Sequence, residues 1–108
     1  MSISEIILSN VSLDIERSQE QVYLKGVESL LKLVHIALEG EHYSKTIKLF
    51  LCDYHLRNCF NFKELFLLPP YLLSHCLNAM ALKRSFDSKL EDFMLGGDNL
   101  IKKWQMNI

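Results

Sequence analysis

A chain of 108 residues, 49% of them hydrophobic, has the size of one domain and can bury a core without disulfides. With 12 basic against 13 acidic residues its net charge is −1, a balance that singles out neither a polyanion-binding surface nor an acidic mimic of DNA. Cys52, Cys59 and Cys76 are an odd number in apolar surroundings, and no basic stretch leads into an apolar N-terminal segment, so a reducing, cytoplasmic setting is expected. The longest strongly apolar run, Phe66 to Leu73, contains two prolines. It falls short of the roughly 20 residues that span a bilayer, so no membrane association is expected.

Residues 1–17 carry two periodicities. Ile3, Ile6 and Ile7 have helical spacing, whereas Val11, Leu13 and Ile15 alternate with polar residues as a half-exposed strand would. A lone strand has no partner, so the expectation is an N-terminal arm or short helix over 1–17, followed by a helical domain over 18–108. Ser18 with Gln21 makes a capping-box pattern. Leu24, Val27, Leu30, Leu31, Val34 and Leu38 then form an apolar stripe of helical period that ends at Gly40. A third element is expected from about Ser44 to Asn58, with Ile47, Phe50, Leu51 and Tyr54 on one face.

The richest junction is Phe60 to Tyr71. Asn61 followed by Glu64 reads as a capping box that opens a short helix from Phe62 to Leu67. Pro69 and Pro70 cannot extend that helix, but either fits the first turn of the next. That next helix carries Leu73, Cys76, Leu77 and Met80 and should reach about Arg84. Ser88 is expected to cap a short helix containing Leu90 and Phe93, which Gly96-Gly97 ends. Asp98 is expected to cap a last helix with Leu100, Ile101 and Trp104, and Lys102 and Lys103 lie near its favourable C-terminal end.

Among constellations that could carry chemistry, Cys52, His55 and Cys59 have ligand-like spacing on a helix, and His75 or Cys76 could complete a tetrahedral zinc site. The paired-cysteine spacing of structural zinc sites is absent, however, and cysteine is a frequent small apolar filler, so core cysteines and no metal are expected. Cysteine catalysis would need a thiol activated by a histidine in a cleft. No phosphate loop, nucleophile elbow or zinc-protease motif occurs, so neither an enzyme nor a cofactor is expected. Basic triplets at Lys45, Lys48 and Arg57, and at Lys83, Arg84 and Lys89, are interleaved with Glu39, Glu41, Asp53, Asp87, Glu91 and Asp92. That interleaving makes a nucleic-acid-associated regulator the alternative rather than the leading reading. Tyr54, Phe60, Phe62, Phe66 and Tyr71 concentrate aromatic surface within eighteen residues. A domain this small has limited room to bury them all, and an exposed remainder would favour a protein interface.

The segments Leu30-Leu31-Lys32-Leu33-Val34, Phe50-Leu51-Cys52-Asp53-Tyr54 and Phe60-Asn61-Phe62-Lys63-Glu64-Leu65-Phe66, with Trp104 near the end, span residues 30–104. Over that span the chain resembles a family of small helical bacterial proteins often encoded on plasmids and integrated elements. In that family glycines precede the corner, aspartate caps it and tryptophan ends it; here Asn58-Cys59, Asn61 and Phe66 stand at those places. The family has no established activity to carry over, so the resemblance implies a helical fold and a mobile-element setting.

Together these readings give an all-α single domain of five or six helices with short connections. Its expected role is a small non-enzymatic accessory protein that binds another protein or itself, with a small enzyme using Cys and His as the third reading.

Overall fold

The computed structural model describes residues 3–40, 42–56 and 60–106, and the side chains of the first helix from residue 19 onward. All regular structure among these residues is helical: α1 (Ile3–Glu39), α2 (Ser44–Leu56), α3 (Phe62–Leu65), α4 (Pro70–Phe86), a 3-10 turn (Leu90–Asp92) and α5 (Gly97–Met106). The expected all-α single domain is what the chain forms.

The N-terminal expectation is corrected. α1 runs 37 residues without a break, so no helix starts at Ser18 and residues 3–17 are helical rather than an extended arm. At 1.5 Å per residue α1 spans roughly 55 Å, most of the 62 Å long axis of the molecule. Gly40, at φ +71°, ends it in the left-handed conformation that glycine adopts without strain.

The stripe expected to face the core is also revised. Leu30 and Val34 are buried, but Leu24, Leu31 and Leu38 are 58%, 40% and 57% exposed. The packed face is instead Gly26, Ser29, Leu30, Leu33, Val34 and Ala37. Small residues form much of this face because α4 lies close against it. A Cβ built on Gly26 would sit 2.5 Å from Leu82 Cβ and 3.1 Å from the Asn78 carbonyl oxygen. Polar groups clasp the same seam: the Ser29 hydroxyl lies 2.9 Å from His75 Nδ1 and accepts from Asn78 Nδ2 at 3.0 Å. The hydroxyl can accept from the amide and still either donate to the imidazole or accept from it, according to the His75 tautomer.

α2 also packs against α1 and contributes Ile47, Phe50, Leu51 and Tyr54 to the core, as its apolar face implies. α4 opens with Pro70 as its first residue, and the Pro69 carbonyl accepts from Leu72 and Leu73. It ends at Asp87, a non-glycine residue at φ +42° whose N–H returns to the Lys83 carbonyl at 2.9 Å. The expected caps at Ser88 and Asp98 do not form. Lys89 starts the 3-10 turn, where its N–H donates to the Asp92 carboxylate at 2.7 Å, while Ser88 is buried. α5 begins at Gly97, which places Asp98 inside its first turn, where a carboxylate complements the helix dipole.

Candidate interaction surface

The Phe60 to Tyr71 corner is built from its cap outward. Asn61 Oδ1 accepts from the Glu64 N–H at 3.4 Å, the expected cap, on a helix of only 4 residues. The Leu67 and Leu68 amides then donate to the Glu64 and Leu65 carbonyls at 3.2 and 3.0 Å, tightening the chain into the proline pair. Leu65, Leu68 and Leu72 are buried and anchor this turn. The side chains between them therefore point outward.

Of the five aromatic residues singled out in the sequence, Tyr54 is fully buried in the core and Phe60 is half-buried, stacked on Phe50 at 5.0 Å between ring centroids. The other three form the exposed remainder. Phe62, Phe66 and Tyr71 are 48%, 66% and 63% exposed, and Leu67 between them is 74% exposed. The Phe62 and Phe66 rings lie 6.2 Å apart on one side of the turn. A nearby groove of about 160 Å³ is lined by the apolar Leu49, Phe50 and Leu65 and the polar Thr46, Asp53, Asn61 and Glu64. A folded chain rarely leaves large apolar side chains clustered in water unless something covers them.

Among the described residues the cysteine and histidine candidates are not assembled into a centre. Cys52 is buried, and Cys59 lies outside the described residues. His55 is buried with both ring nitrogens engaged: Nδ1 accepts from the Leu90 N–H at 3.2 Å, and Nε2 lies 3.0 Å from Asp98 Oδ1. A backbone amide can only donate, so the proton sits on Nε2 and points at the carboxylate. Asp98 is held below the usual carboxylate range by its hydrogen bonds, first from Lys102 and then from His55. This constellation ties α2 to the 3-10 turn and α5. Among the described residues no group of three His, Cys, Asp or Glu is placed to hold a metal ion. Cys76 is fully buried, and desolvation pushes its thiol up to about 12, far from the thiolate that nucleophilic chemistry needs.

A second polar cluster was not foreseen. The Tyr54 hydroxyl lies 2.6 Å from Ser88 Oγ, and Lys83 Nζ donates to the Ser88 carbonyl at 2.6 Å. That ammonium also stands 5.1 Å from the centroid of the Tyr54 ring, within cation–π reach. Burial lowers the Lys83 pKa, with Asp87 pulling it back up, and burial raises that of Tyr54 against the Ser88 hydrogen bond. A desolvated lysine can be a nucleophile, but Lys83 is only 5% exposed and its ammonium points into the fold. The basic triplet at Lys83, Arg84 and Lys89 thus loses a member to the interior. Arg57 of the other triplet lies outside the described residues, while Lys45 and Lys48 join Lys103, Leu38 and Trp104 around a separate groove.

Little in the sequence marks these clusters, because in three of their bonds the partners lie 34 to 43 positions apart. Comparison of the chain with family models, with curated proteins and with solved structures gives no match.

Proposed function

We propose that the protein is a small non-enzymatic binding protein that docks a partner protein on the corner formed by Phe62, Phe66, Leu67 and Tyr71. One observation carries this reading: four large apolar side chains lie exposed between Phe62 and Tyr71, where α3 turns into α4, while Leu65, Leu68 and Leu72 of the same segment are buried. Aromatic residues of this kind dominate the energetics of protein interfaces, and the exposed Lys63 and Glu64 supply the polar rim such patches have. The partner therefore presents an apolar surface with polar groups at its margin. The resemblance over residues 30–104 supports a mobile-element accessory protein acting on host processes or defence, working in the cytoplasm. No described helix is long and apolar enough to cross a membrane.

Affinity capture from the native cells, with mass spectrometric identification, tests the reading. Phe66→Asp and Tyr71→Asp alter exposed side chains and should leave the fold intact by circular dichroism while abolishing recovery of a partner that the wild type retains. Equal recovery by wild type and both variants would refute it. A wild type that captures no protein but binds DNA or RNA with steep salt dependence would favour the nucleic-acid-associated alternative.

A further inference from the structure

The first turn of α2 carries positive charge where the helix already supplies it. The Tyr43 carbonyl accepts from the Ile47 N–H at 2.9 Å, so Tyr43 is the N-cap and the amides of Ser44, Lys45 and Thr46 have no carbonyl of their own helix to bond. Tyrosine does not cap as Ser, Thr, Asp or Asn would, and the first turn holds no acid. Among the described residues no other group meets these three amides. Lys45 adds a cation at the helix end where an anion is favoured.

A buried side chain turns this helix start into a site. Ser44 is only 8% exposed, yet its hydroxyl has no hydrogen-bond partner among the described residues. Every sealed side-chain nitrogen or oxygen among those residues has a partner, so the Ser44 hydroxyl is not sealed. It opens on the groove that Ser44 lines. That groove has a volume of about 510 Å³, in the range of small-molecule pockets. Lys45, Lys48 and Lys103 line it with Ala37, Leu38 and Trp104, and no acidic side chain is among its lining residues. Lys32, Lys83 and Lys102 each face an acid within 4.0 Å, but Lys45 and Lys48 have no such partner among the described residues. Lys48 Nζ instead stands 6.0 Å over the Trp104 ring.

We propose that this groove binds a small soluble phosphate monoester, its phosphate received by the Ser44 hydroxyl and the first-turn amides of α2 between Lys45 and Lys48, and its carbon body laid against Leu38. A phosphate brings three strong acceptor oxygens and close to two negative charges, which match one hydroxyl, free backbone amides and two ammonium groups better than the two oxygens of a carboxylate do. The cations converge on one groove rather than running along a stripe, as a nucleic-acid backbone would require. Leu38, 57% exposed at the groove wall, supplies the apolar contact that free phosphate would not use. None of the lining residues belongs to the aromatic corner, so the two surfaces act independently.

Titration of the full chain with inorganic phosphate and with butyl phosphate, at constant ionic strength, tests the proposal. Trp104 is the only tryptophan, so its fluorescence reports on the groove, and amide NMR shifts of Lys45 and Thr46 locate the phosphate. Both probes should saturate, butyl phosphate about tenfold more tightly because part of its chain is buried. Lys45→Gln and Lys48→Gln should each weaken binding about tenfold. Ser44→Ala should weaken it about fivefold without lowering the urea midpoint, since the hydroxyl bonds nothing in the free protein. Tyr71→Asp should leave binding unchanged. Failure of either probe to saturate overturns the proposal, as does binding undiminished in the Lys45→Gln, Lys48→Gln double variant. Equal affinity for the two probes overturns the assignment of an ester. A single-stranded DNA 12-mer without terminal phosphate that binds more tightly than butyl phosphate, with steep salt dependence, overturns the small ligand in favour of nucleic acid. Co-sedimentation with phosphatidic acid vesicles by a protein that does not bind butyl phosphate gives the phosphate a lipid source and overturns a soluble one.

Discussion

Replacing Gly26 with alanine should destabilise the protein, against the ordinary direction of that change. In a helix interior Ala exceeds Gly by about 1 kcal/mol, so an uncrowded position would gain stability. At Gly26 the added carbon would meet Leu82 Cβ at 2.5 Å and the Asn78 carbonyl oxygen at 3.1 Å. Carbon contacts are most favourable at about 3.5–4.0 Å, so α4 must retreat by roughly 1 Å. Neither obstacle can swing aside, since one is a Cβ and the other a backbone oxygen. Overpacking of this kind costs about 1–3 kcal/mol. The retreat would also stretch the hydrogen bonds of Ser29 to His75 and Asn78, now 2.9 and 3.0 Å, at about 1 kcal/mol. Net of the propensity gain, a loss of about 2 kcal/mol is expected, or roughly 8 °C in Tm for a domain of this size. Urea unfolding followed by circular dichroism measures it directly, with the midpoint falling and the slope unchanged. A midpoint that rises would show that α1 and α4 do not approach this closely, and the account of the seam would be wrong.

Alkaline conditions should expose the buried thiol. Cys76 is held at about 12 in the folded chain against 9.0 as the reference for an exposed thiol. Between those values the unfolded state has lost a proton that the folded state keeps, so stability falls as pH rises through that window and is unaffected below it. Cys76→Ala should flatten the decline by up to about 1.4 kcal/mol per pH unit, read from denaturation midpoints at successive pH values; an unchanged slope would sink the assignment. Asn61→Ala should cost only about 0.5 kcal/mol, the low end for a cap, because its hydrogen bond is long, exposed and serves a single turn. A chemical melt showing a loss above ~1.5 kcal/mol would mean that the corner depends on Asn61 beyond capping.

What could be read from the residues alone was whatever is decided locally. Gly40, Asn61 and Pro70 each act on the backbone within a few positions, and each marks the helix boundary expected of it. Residues 3–17 were misjudged because their alternation mimics a strand, while helical and extended periods compete over so short a window. The α1 stripe was misjudged for a different reason. Apolarity is a poor sign of burial here: the face against α4 is marked by smallness at Gly26 and Ser29, while Leu24, Leu31 and Leu38 are exposed. Ser88 and Asp98 have the chemistry of caps, but distant partners engage their side chains: Tyr54 for Ser88 and His55 for Asp98. The aromatic set was legible as a group, and its division into core and surface was not. That division depends on which way one short turn is rolled by Leu65 and Leu68.

The seam between α1 and α4 joins two surfaces with opposite effects on axial alignment. Small residues let helices approach, but a smooth groove offers little resistance to sliding, so close packing alone would tolerate several alignments. Ser29, His75 and Asn78 remove that tolerance. A shift of α4 by one turn, about 5.4 Å, would part the Ser29 hydroxyl from both of its partners and leave a buried polar atom without a hydrogen bond. The three side chains thus act as a ruler, selecting one alignment out of those the glycine groove would admit. The same alignment sets where Pro70 stands along α1, and with it the height at which the aromatic corner is presented.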